Sequence, residues 1–478
     1  MKNKKASVTI LTVGIGTFMS SLDTSIVNLA MPLIKSHFGV SLSMVVWIVT
    51  AYLLVVSSLL LTFGRLSDLY GQKKVYLTGF VIFTIGSLLC GLSASIGMLI
   101  FCRVIQALGA GMLFATGPAI ITNSVPPENR GKALSVTAVA VALGLCVGPV
   151  LGGTLSTLYG WQSIFYINVP IGIFGIIMVI NNIDGDKKAS SVPFDIVGSV
   201  LVFFSLLFIL LPLDISGDYH ISPALFIGSI AIGLLLIVLF VVHERRYKYP
   251  MLNMSFFKNR VFAASNAAAI FVYMSEFIMI FLTPFYLESL RGFSAMKSGL
   301  LYMPMPLATM LIAPISGSAS DRVDSRFISS IGALILGGGL FMLSFLKADT
   351  SIIYIIISML VAGMGFGMFQ TPNNSAIMGS VPAENRGTAS GTLATMRNIG
   401  MVLGVAVSGA LFSYFQSKAE KLYALSGQSG NLLESNAFIY ALHITALVAA
   451  AVAVIAMIAS FTKGKVLTET EKRLTEEE

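Results

Sequence analysis

Gly64-Arg65-Leu66-Ser67-Asp68-Leu69-Tyr70-Gly71-Gln72-Lys73-Lys74 is met again as Gly317-Ser318-Ala319-Ser320-Asp321-Arg322-Val323-Asp324-Ser325-Arg326, at an offset of 253 (317 − 64). Asp68 pairs with Asp321, and Lys73 with Arg326, at the same offset. A second element, Val125-Pro126-Pro127-Glu128-Asn129-Arg130-Gly131, recurs as Val381-Pro382-Ala383-Glu384-Asn385-Arg386-Gly387, 256 residues on (381 − 125). Two elements in one order at nearly one spacing mean that a unit of about half the chain is used twice. One departure stands out: the second copy has Asp324 where the first has Gly71.

The 478 residues are 56% hydrophobic and 11% charged, and the mean hydropathy is +0.87. Soluble domains carry about 25% charged residues, so this composition belongs in a bilayer. The net charge of +8 raises the question of nucleic acid. The basic residues sit in short loops between apolar runs, which is the distribution of a membrane chain and excludes a nucleic-acid reading. Cys90, Cys102 and Cys146 all fall in apolar stretches and read as small hydrophobes, with neither disulfide nor metal. Met1-Lys2-Asn3-Lys4-Lys5 leads into an apolar stretch with no small-residue cleavage site before Asp23, so no cleaved signal is expected.

At about twenty residues per span, fourteen apolar stretches are long enough. They lie near 8–33, 45–66, 75–93, 97–121, 132–157, 162–182, 195–213, 222–243, 260–287, 296–317, 327–346, 351–378, 387–416 and 438–462. With the N-terminus inside, the inner segments hold twenty-two of the thirty Lys and Arg and the outer loops hold six, which puts both termini in the cytoplasm. The repeat offset matches spans one to six with spans nine to fourteen and leaves seven and eight as an inserted pair. The resulting division is 1–190 for a first six-helix bundle, 191–245 for the pair, 246–258 for a cytoplasmic linker, 259–465 for a second bundle and 466–478 for a charged, disordered tail. The polar outer loop 417–437 reads as mobile. A membrane chain of two similar halves is the mark of a transporter with its site between the halves.

Further stretches carry a family likeness. Leu22-Asp23-Thr24-Ser25-Ile26-Val27-Asn28-Leu29-Ala30-Met31-Pro32 resembles a first-helix motif of the major facilitator superfamily, specifically of its fourteen-helix drug:proton antiporters (the QacA/EmrB type). Gly64 to Lys74 resembles their loop between helices two and three. Arg103-Val104-Ile105-Gln106-Ala107-Leu108-Gly109-Ala110-Gly111 resembles their fourth-helix motif, and Gly144-Leu145-Cys146-Val147-Gly148-Pro149-Val150-Leu151-Gly152-Gly153 their antiporter motif. Trp161 to Pro170 also fits. The likeness covers nearly the whole chain. It implies an all-α integral membrane protein of the major facilitator fold, two pseudo-symmetric six-helix bundles plus two inserted helices.

Each motif has a physical reading beside a bland one. Asp23 lies about two-thirds along the first span, where a carboxylate costs about 2.5–3.5 kcal/mol. It is either a proton or cation site, or an acid permanently ionised in a polar helix contact. Arg103, in the fourth span, cannot lose its proton and needs acceptors. It either pairs with Asp23 and takes part in proton coupling, as the likeness implies, or ties two helices together. Glu276 follows Asp23 by 253 residues (276 − 23), the offset of the loop motif. The two acids are therefore expected at similar depth, facing each other across the cavity; otherwise Glu276 points to lipid or pairs locally. Arg397, the other deep charge of the second half, balances Glu276, contacts substrate or serves as a structural tie.

The likeness implies that Gly64, Arg65, Asp68, Gly71, Lys73 and Lys74, with Asp321, Arg322 and Arg326, form charge-relay locks that close the inside. Glu128, Arg130, Glu384 and Arg386 join that network. Gly144, Gly148, Gly152 and Gly153 at four-residue spacing allow close helix approach, and Pro149 permits a kink. The likeness makes this a leak-resistant contact at the domain interface; generic packing is the alternative. Met274, Met279, Met303, Met305, Met310, Met364 and Met368 suit an adaptable pocket or ordinary packing. No phosphate loop, metal cluster or nucleophile–base pair is present in the sequence, so an enzyme or ATP-driven pump is excluded.

The expectation is a proton-coupled multidrug efflux antiporter of the bacterial cytoplasmic membrane. It exports lipophilic, cationic small molecules by alternating access, as a monomer in the lipid bilayer. Protons are the coupling ion, with no other cofactor. The alternatives are an exporter of one dedicated lipid or metabolite and a non-transporting sensor or assembly subunit.

Overall fold

The computed structural model describes residues 2–40, 42–185, 193–215, 222–293, 295–425 and 429–464. The expected boundary at 190–191, the tail 466–478 and the side chain of Pro149 lie outside what is described. Among the described residues the regular structure is helical throughout. The first half holds α1 (Lys2–Phe38), α2 (Leu42–Tyr70), α3 (Gln72–Gly91), α4 (Ile96–Ser124), α5 (Arg130–Tyr159), α6 (Ser163–Tyr166) and α7 (Asn168–Asn182). Next come α8 (Ile196–Ile215) and α9 (Pro223–Arg246). The second half holds α10 (Arg260–Phe285), α11 (Ala295–Tyr302), α12 (Pro304–Ser320), α13 (Ser325–Leu343), α14 (Ile352–Gly379), α15 (Arg386–Leu425) and α16 (Gly430–Phe461). Among the described residues thirteen stretches are long and apolar enough to cross a bilayer; Ile196–Pro212, in α8, is apolar but shorter.

Two expected spans are each interrupted at one residue while remaining continuous in length, Ser163–Asn182 and Lys297–Ser320. The sixth divides into α6 and α7 around Ile167, and the tenth into α11 and α12 at Met303. Met303 itself keeps helical backbone, φ −54° and ψ −32°, and the second interruption falls where Pro304 and Pro306 have no N–H to give to the helical ladder. The outer loop expected over 417–437 is a correction. Helix α15 runs on to Leu425 and α16 starts at Gly430. The segment after Gln416 is polar, but it is built of good helix formers, and Gln416 Nε2 donates to Glu420 Oε1 at 3.0 Å one turn on. Polarity marked the exit from the bilayer, and not the end of the helix.

Helix pairings recur between the halves: α3 packs on α4 as α13 on α14, α2 on α4 as α12 on α14, and α1 on α5 as α10 on α15. Glycines set the closest approaches. A Cβ on Gly86 would lie 2.7 Å from the Cα of Gln106, and one on Gly339 would lie 2.7 Å from the Cα of Ala362. These crossings align Gly86 with Gly339 at 253 and Gln106 with Ala362 at 256, which fixes the structural equivalents used below. Between halves, α2 packs on α15 and α5 on α12.

Candidate functional site

Both copies of the loop motif lie where the halves meet. Asp68, in the last turn of α2, accepts hydrogen bonds from Gly387 N (2.7 Å), Thr388 N (2.6 Å) and Thr388 Oγ1 (2.7 Å) at the start of α15. Asp321, just past α12, accepts from Gly131 N (2.8 Å) and Lys132 N (3.1 Å) at the start of α5. Each half thus presents a carboxylate to the N-terminus of a helix in the other half, where free N–H groups and the helix dipole favour negative charge. Glycine lets the backbones close: a Cβ on Gly64 would lie 2.5 Å from the carbonyl oxygen of Gly387, and one on Gly317 2.5 Å from that of Gly131.

Where a charge relay is expected, both carboxylates are bonded by backbone amides of the opposite half, and Asp68 by the Thr388 hydroxyl as well. Arg65 flanks Asp68, and Glu128 and Arg130 flank Asp321. Burial pushes the Asp321 carboxyl up, and the two amides oppose that. Arg386 donates to Asn123 of α4 across the seam. Lys73 Nζ caps the end of α7 through the carbonyls of Ile180 (2.9 Å) and Ile183 (2.7 Å). Lys74, Arg322 and Glu384 are exposed, and Glu384 makes no hydrogen bond or ion pair among the described residues. The departure at Asp324 is a change of turn chemistry. Gly71 enters α3 at φ 105°, whereas Asp324 at φ −51° caps α13 by accepting from Arg326 N at 2.9 Å.

Asp23 is fully enclosed within the first half. Arg103 Nη1 donates to its Oδ2 at 2.6 Å; Gln106 Nε2 and Asn168 Nδ2 both donate to its Oδ1 at 2.9 Å. Arg103 Nη1 also reaches Gln106 Oε1 (2.7 Å), its Nε reaches Ile48 O (3.2 Å), and Gln106 and Asn168 share Ser87 Oγ. The guanidinium lies 4.1 Å from the Tyr52 ring centroid. Asp23 is 0% exposed and Arg103 1%. Gly144, Gly148 and Gly152 form a stripe against α1 beside this acid: a Cβ on each would lie 2.8 Å from Leu22 N, 2.5 Å from Ser25 Oγ and 2.8 Å from Ile26 Cγ1. Gly153 faces open space. The stripe therefore packs within its own half. The interface expected for it is made elsewhere, by Gly131 on Gly317.

Glu276 behaves differently. It is 7% exposed, yet it makes no hydrogen bond or ion pair among the described residues. Arg397 of α15 acts on it electrostatically without closing to 4 Å; its guanidinium stacks 4.9 Å from the Tyr273 ring centroid, and its Nε is buried without a partner. Tyr273 in turn accepts from Gln370 Nε2 at 2.8 Å. The expectation that Asp23 and Glu276 face each other is therefore corrected. The repeat relates their helices and depth, while Asp23 turns into its own bundle.

The reason lies at the equivalent positions. By the alignment above, Arg103, Gln106 and Ser87 correspond to Met359, Ala362 and Leu340, all buried and apolar. At these three positions the second half offers its acid no polar side chain. Met279 and Met305 belong to the apolar core of that half, so the bland reading applies to them.

Sequence reasoning assigned no role to Gln106, Asn168, Ser87 or Tyr52. Gln106 could have been found three residues after Arg103, on the same helical face. Lys463 was counted among the loop charges, but it is 0% exposed, donating to Ser329 Oγ (2.9 Å) and Asn373 Oδ1 (2.7 Å). Burial lowers its amine to about 7, with Asp324 partly opposing. An unfolded lysine binds a proton in the window between about 7 and its ordinary value, and the folded site does not, so stability should rise with pH there. Melting profiles in detergent should show that rise, and Lys463→Met should flatten it.

A many-span helical protein, with two halves clamped at one end and buried opposite charges in each, has the architecture of a membrane transporter. The family model of the Major Facilitator Superfamily matches residues 13–405, and the chain belongs to that superfamily. It is 36% identical over 446 residues to the riboflavin transporter RibZ of Clostridioides difficile (strain 630), covering 91% of this chain and 96% of the relative. It is 31% identical to the multidrug transporter protein MdtP of Bacillus subtilis (strain 168), covering 90% and 78%. Its fold is similar to that of the human organic anion transporter MFSD10 (TETRAN), with a TM-score of 0.66 at 13% identity, covering 95% and 99%.

Proposed function

We propose that the chain is a proton-coupled efflux antiporter of the fourteen-helix drug:proton type, working in the bacterial cytoplasmic membrane with both termini inside. Two six-helix bundles rock about a central site. The clamp formed by Asp68 and Asp321 is the cytoplasmic gate, closed in the conformation described. Outside protons enter at Asp23 or Glu276, substrate leaves outward, and the emptied carrier returns. One charge moved through about 150 mV releases roughly 3.5 kcal/mol. At about 1.4 kcal/mol per tenfold, that sustains a gradient of roughly 300-fold.

The observation that carries this reading is the contrast between the acids. Asp23 has three donors, so gaining or losing a proton there rearranges a network. Glu276 has none, so its carboxyl is available to a ligand. Multidrug relatives such as MdtP support the broad substrate range. The decisive experiment is a substrate panel in proteoliposomes under an imposed pH gradient. Glu276→Gln should lose divalent organic cations first, because a second positive charge left without a counter-charge in a low-dielectric cavity is costly. Some monovalent transport should remain. Equal loss of every substrate would make Glu276 a core proton carrier, and no loss would remove it from the site.

A second reading is export of one dedicated metabolite. Two observations favour it: the 36% identity to a riboflavin transporter, and the unpaired Nε of Arg397, a donor better matched to an acceptor-rich neutral or anionic compound than to a cation. A narrow profile in the same panel, with transport more sensitive to Arg397→Gln than to Glu276→Gln, would select it.

A further inference from the structure

Glu276 of α10 and Arg397 of α15 are electrostatic neighbours that do not close to 4 Å, and neither makes a hydrogen bond among the described residues. The helices that carry them are locked together. A Cβ on Gly400 would run into the carbonyl oxygen of Ile270, and one on Gly404 would lie 2.6 Å from that of Met274. Ser408 Oγ donates to Ile278 O at 2.9 Å. Gly400 and Gly404 stand 256 positions after Gly144 and Gly148 (400 − 144, 404 − 148). The second half thus repeats on α10 the glycine contact that the first half makes on α1, and the two side chains project from a fixed crossing.

An acid and a guanidinium this close would each gain a partner by closing on one another, and a buried polar group without one is costly. What surrounds the guanidinium keeps them apart. It lies 4.9 Å from the ring centroid of Tyr273, which precedes Glu276 by three residues and so shares its face of α10. Tyr273 is 2% exposed and is fixed in turn: its hydroxyl accepts from Gln370 Nε2 at 2.8 Å, and its ring meets Phe366 edge-on with centroids 5.2 Å apart. Stacking occupies the face of the guanidinium and leaves its edge, which carries the N–H groups. A donor and an acceptor are thereby left on either side of a gap wider than 4 Å.

The chemistry of the two groups limits what can fill that gap. Arg397 only donates and is permanently charged, so it takes an acceptor and opposes a cation placed beside it. Glu276 keeps an acceptor oxygen whether or not it holds a proton, so it takes an N–H in either state. An anion would serve Arg397 and leave Glu276 without a donor. The first half has no counterpart to this arrangement: at the 256 offset, Val141 and Phe114 stand where Arg397 and Gln370 stand.

We infer that Glu276 and Arg397 form a two-pronged recognition site for a net-neutral compound that carries an N–H donor and a C=O acceptor on one edge, as a lactam, an imide or a cyclic urea does. The N–H donates to the Glu276 carboxyl and the C=O accepts from the Arg397 edge, so that one ligand group satisfies both. Tyr273 and Gln370 act through Arg397 as positioning residues, holding the guanidinium open for the ligand. The inference rests on the transporter reading and narrows its dedicated-metabolite form to one chemical class.

Binding to the full-length protein in lipid nanodiscs, with empty discs subtracted, tests this with two neutral probes. One is 2-quinolinone, whose ring N–H and C=O are adjacent; the other is N-methyl-2-quinolinone, which keeps the C=O and lacks the N–H. The methylated probe should bind about tenfold more weakly or worse, because it leaves the Glu276 acceptor without a donor. In Glu276→Leu that ratio should fall to about one. Arg397→Leu should weaken both probes by a similar factor and leave the ratio in place. A general loosening of the fold does not move the ratio, so it separates recognition from a structural role. A ratio near one in the unmodified protein would overturn the inference, as would an undiminished ratio in Glu276→Leu or no binding of either probe. An intact ratio beside a substrate panel that shows no proton-driven transport would support the site and count against the antiporter reading.

Discussion

Asp23→Asn is expected to reduce uphill export to none and, unlike an isosteric change on a surface, to destabilise the protein as well. The carboxylate holds Arg103 at 2.6 Å in a site where both are at most 1% exposed. Removing one partner of a buried ion pair costs about 3–5 kcal/mol, because the remaining charge is left without compensation. Removing both charges is often neutral. In the double variant Asp23→Asn, Arg103→Met, the second substitution copies what the other half already has at the equivalent place, where Met359 stands. It should recover most of the lost melting temperature and recover no coupling. Uphill transport under a pH gradient, measured beside thermal unfolding, separates the two effects. Proton-driven accumulation by the folded double variant would remove Asp23 from the proton path.

Asp68→Asn should open the gate. Three short hydrogen bonds end on this carboxylate, and bonds to a charged acceptor contribute about 1.5–3 kcal/mol each. Asparagine keeps one acceptor oxygen and turns its amide hydrogens toward N–H donors. A loss of about 3 kcal/mol shifts the gate equilibrium on the order of a hundredfold. A cysteine at Ser390, 1% exposed on α15, serves as reporter. A membrane-impermeant thiol reagent added on the cytoplasmic side should label it much faster in the variant. Unchanged labelling would mean that the cap does not set the gate. Asp321→Asn, which removes two bonds where Asp68 makes three, should have the smaller effect.

The repeat was readable because both copies keep short motifs at loops, where turn chemistry constrains residue types tightly. Spans were readable because apolar length is a composition signal. The outer loop was misread because composition marks the membrane boundary and not the helix boundary. The inner lock was only half legible. Its carboxylates are visible in sequence, but their partners are backbone amides of Gly131, Lys132, Gly387 and Thr388, which any residue could provide. Asp23 and Glu276 were correctly singled out as buried acids, yet the offset between them carries no information on side-chain direction. That depends on what stands opposite, Arg103 and Gln106 in one half, Met359 and Ala362 in the other.

The two caps are reciprocal but unequal, and their inequality would give the proposed rocking motion a direction. Asp321 lets go of two amides on the α5–α12 side, whereas Asp68 must surrender two amides and a hydroxyl on the α2–α15 side. Under the proposed alternating access, the seam with fewer bonds should part first, with the other as pivot. The ring of contacts would then unzip around its circumference instead of lifting away everywhere at once, and the first aqueous crevice is expected between α5 and α12.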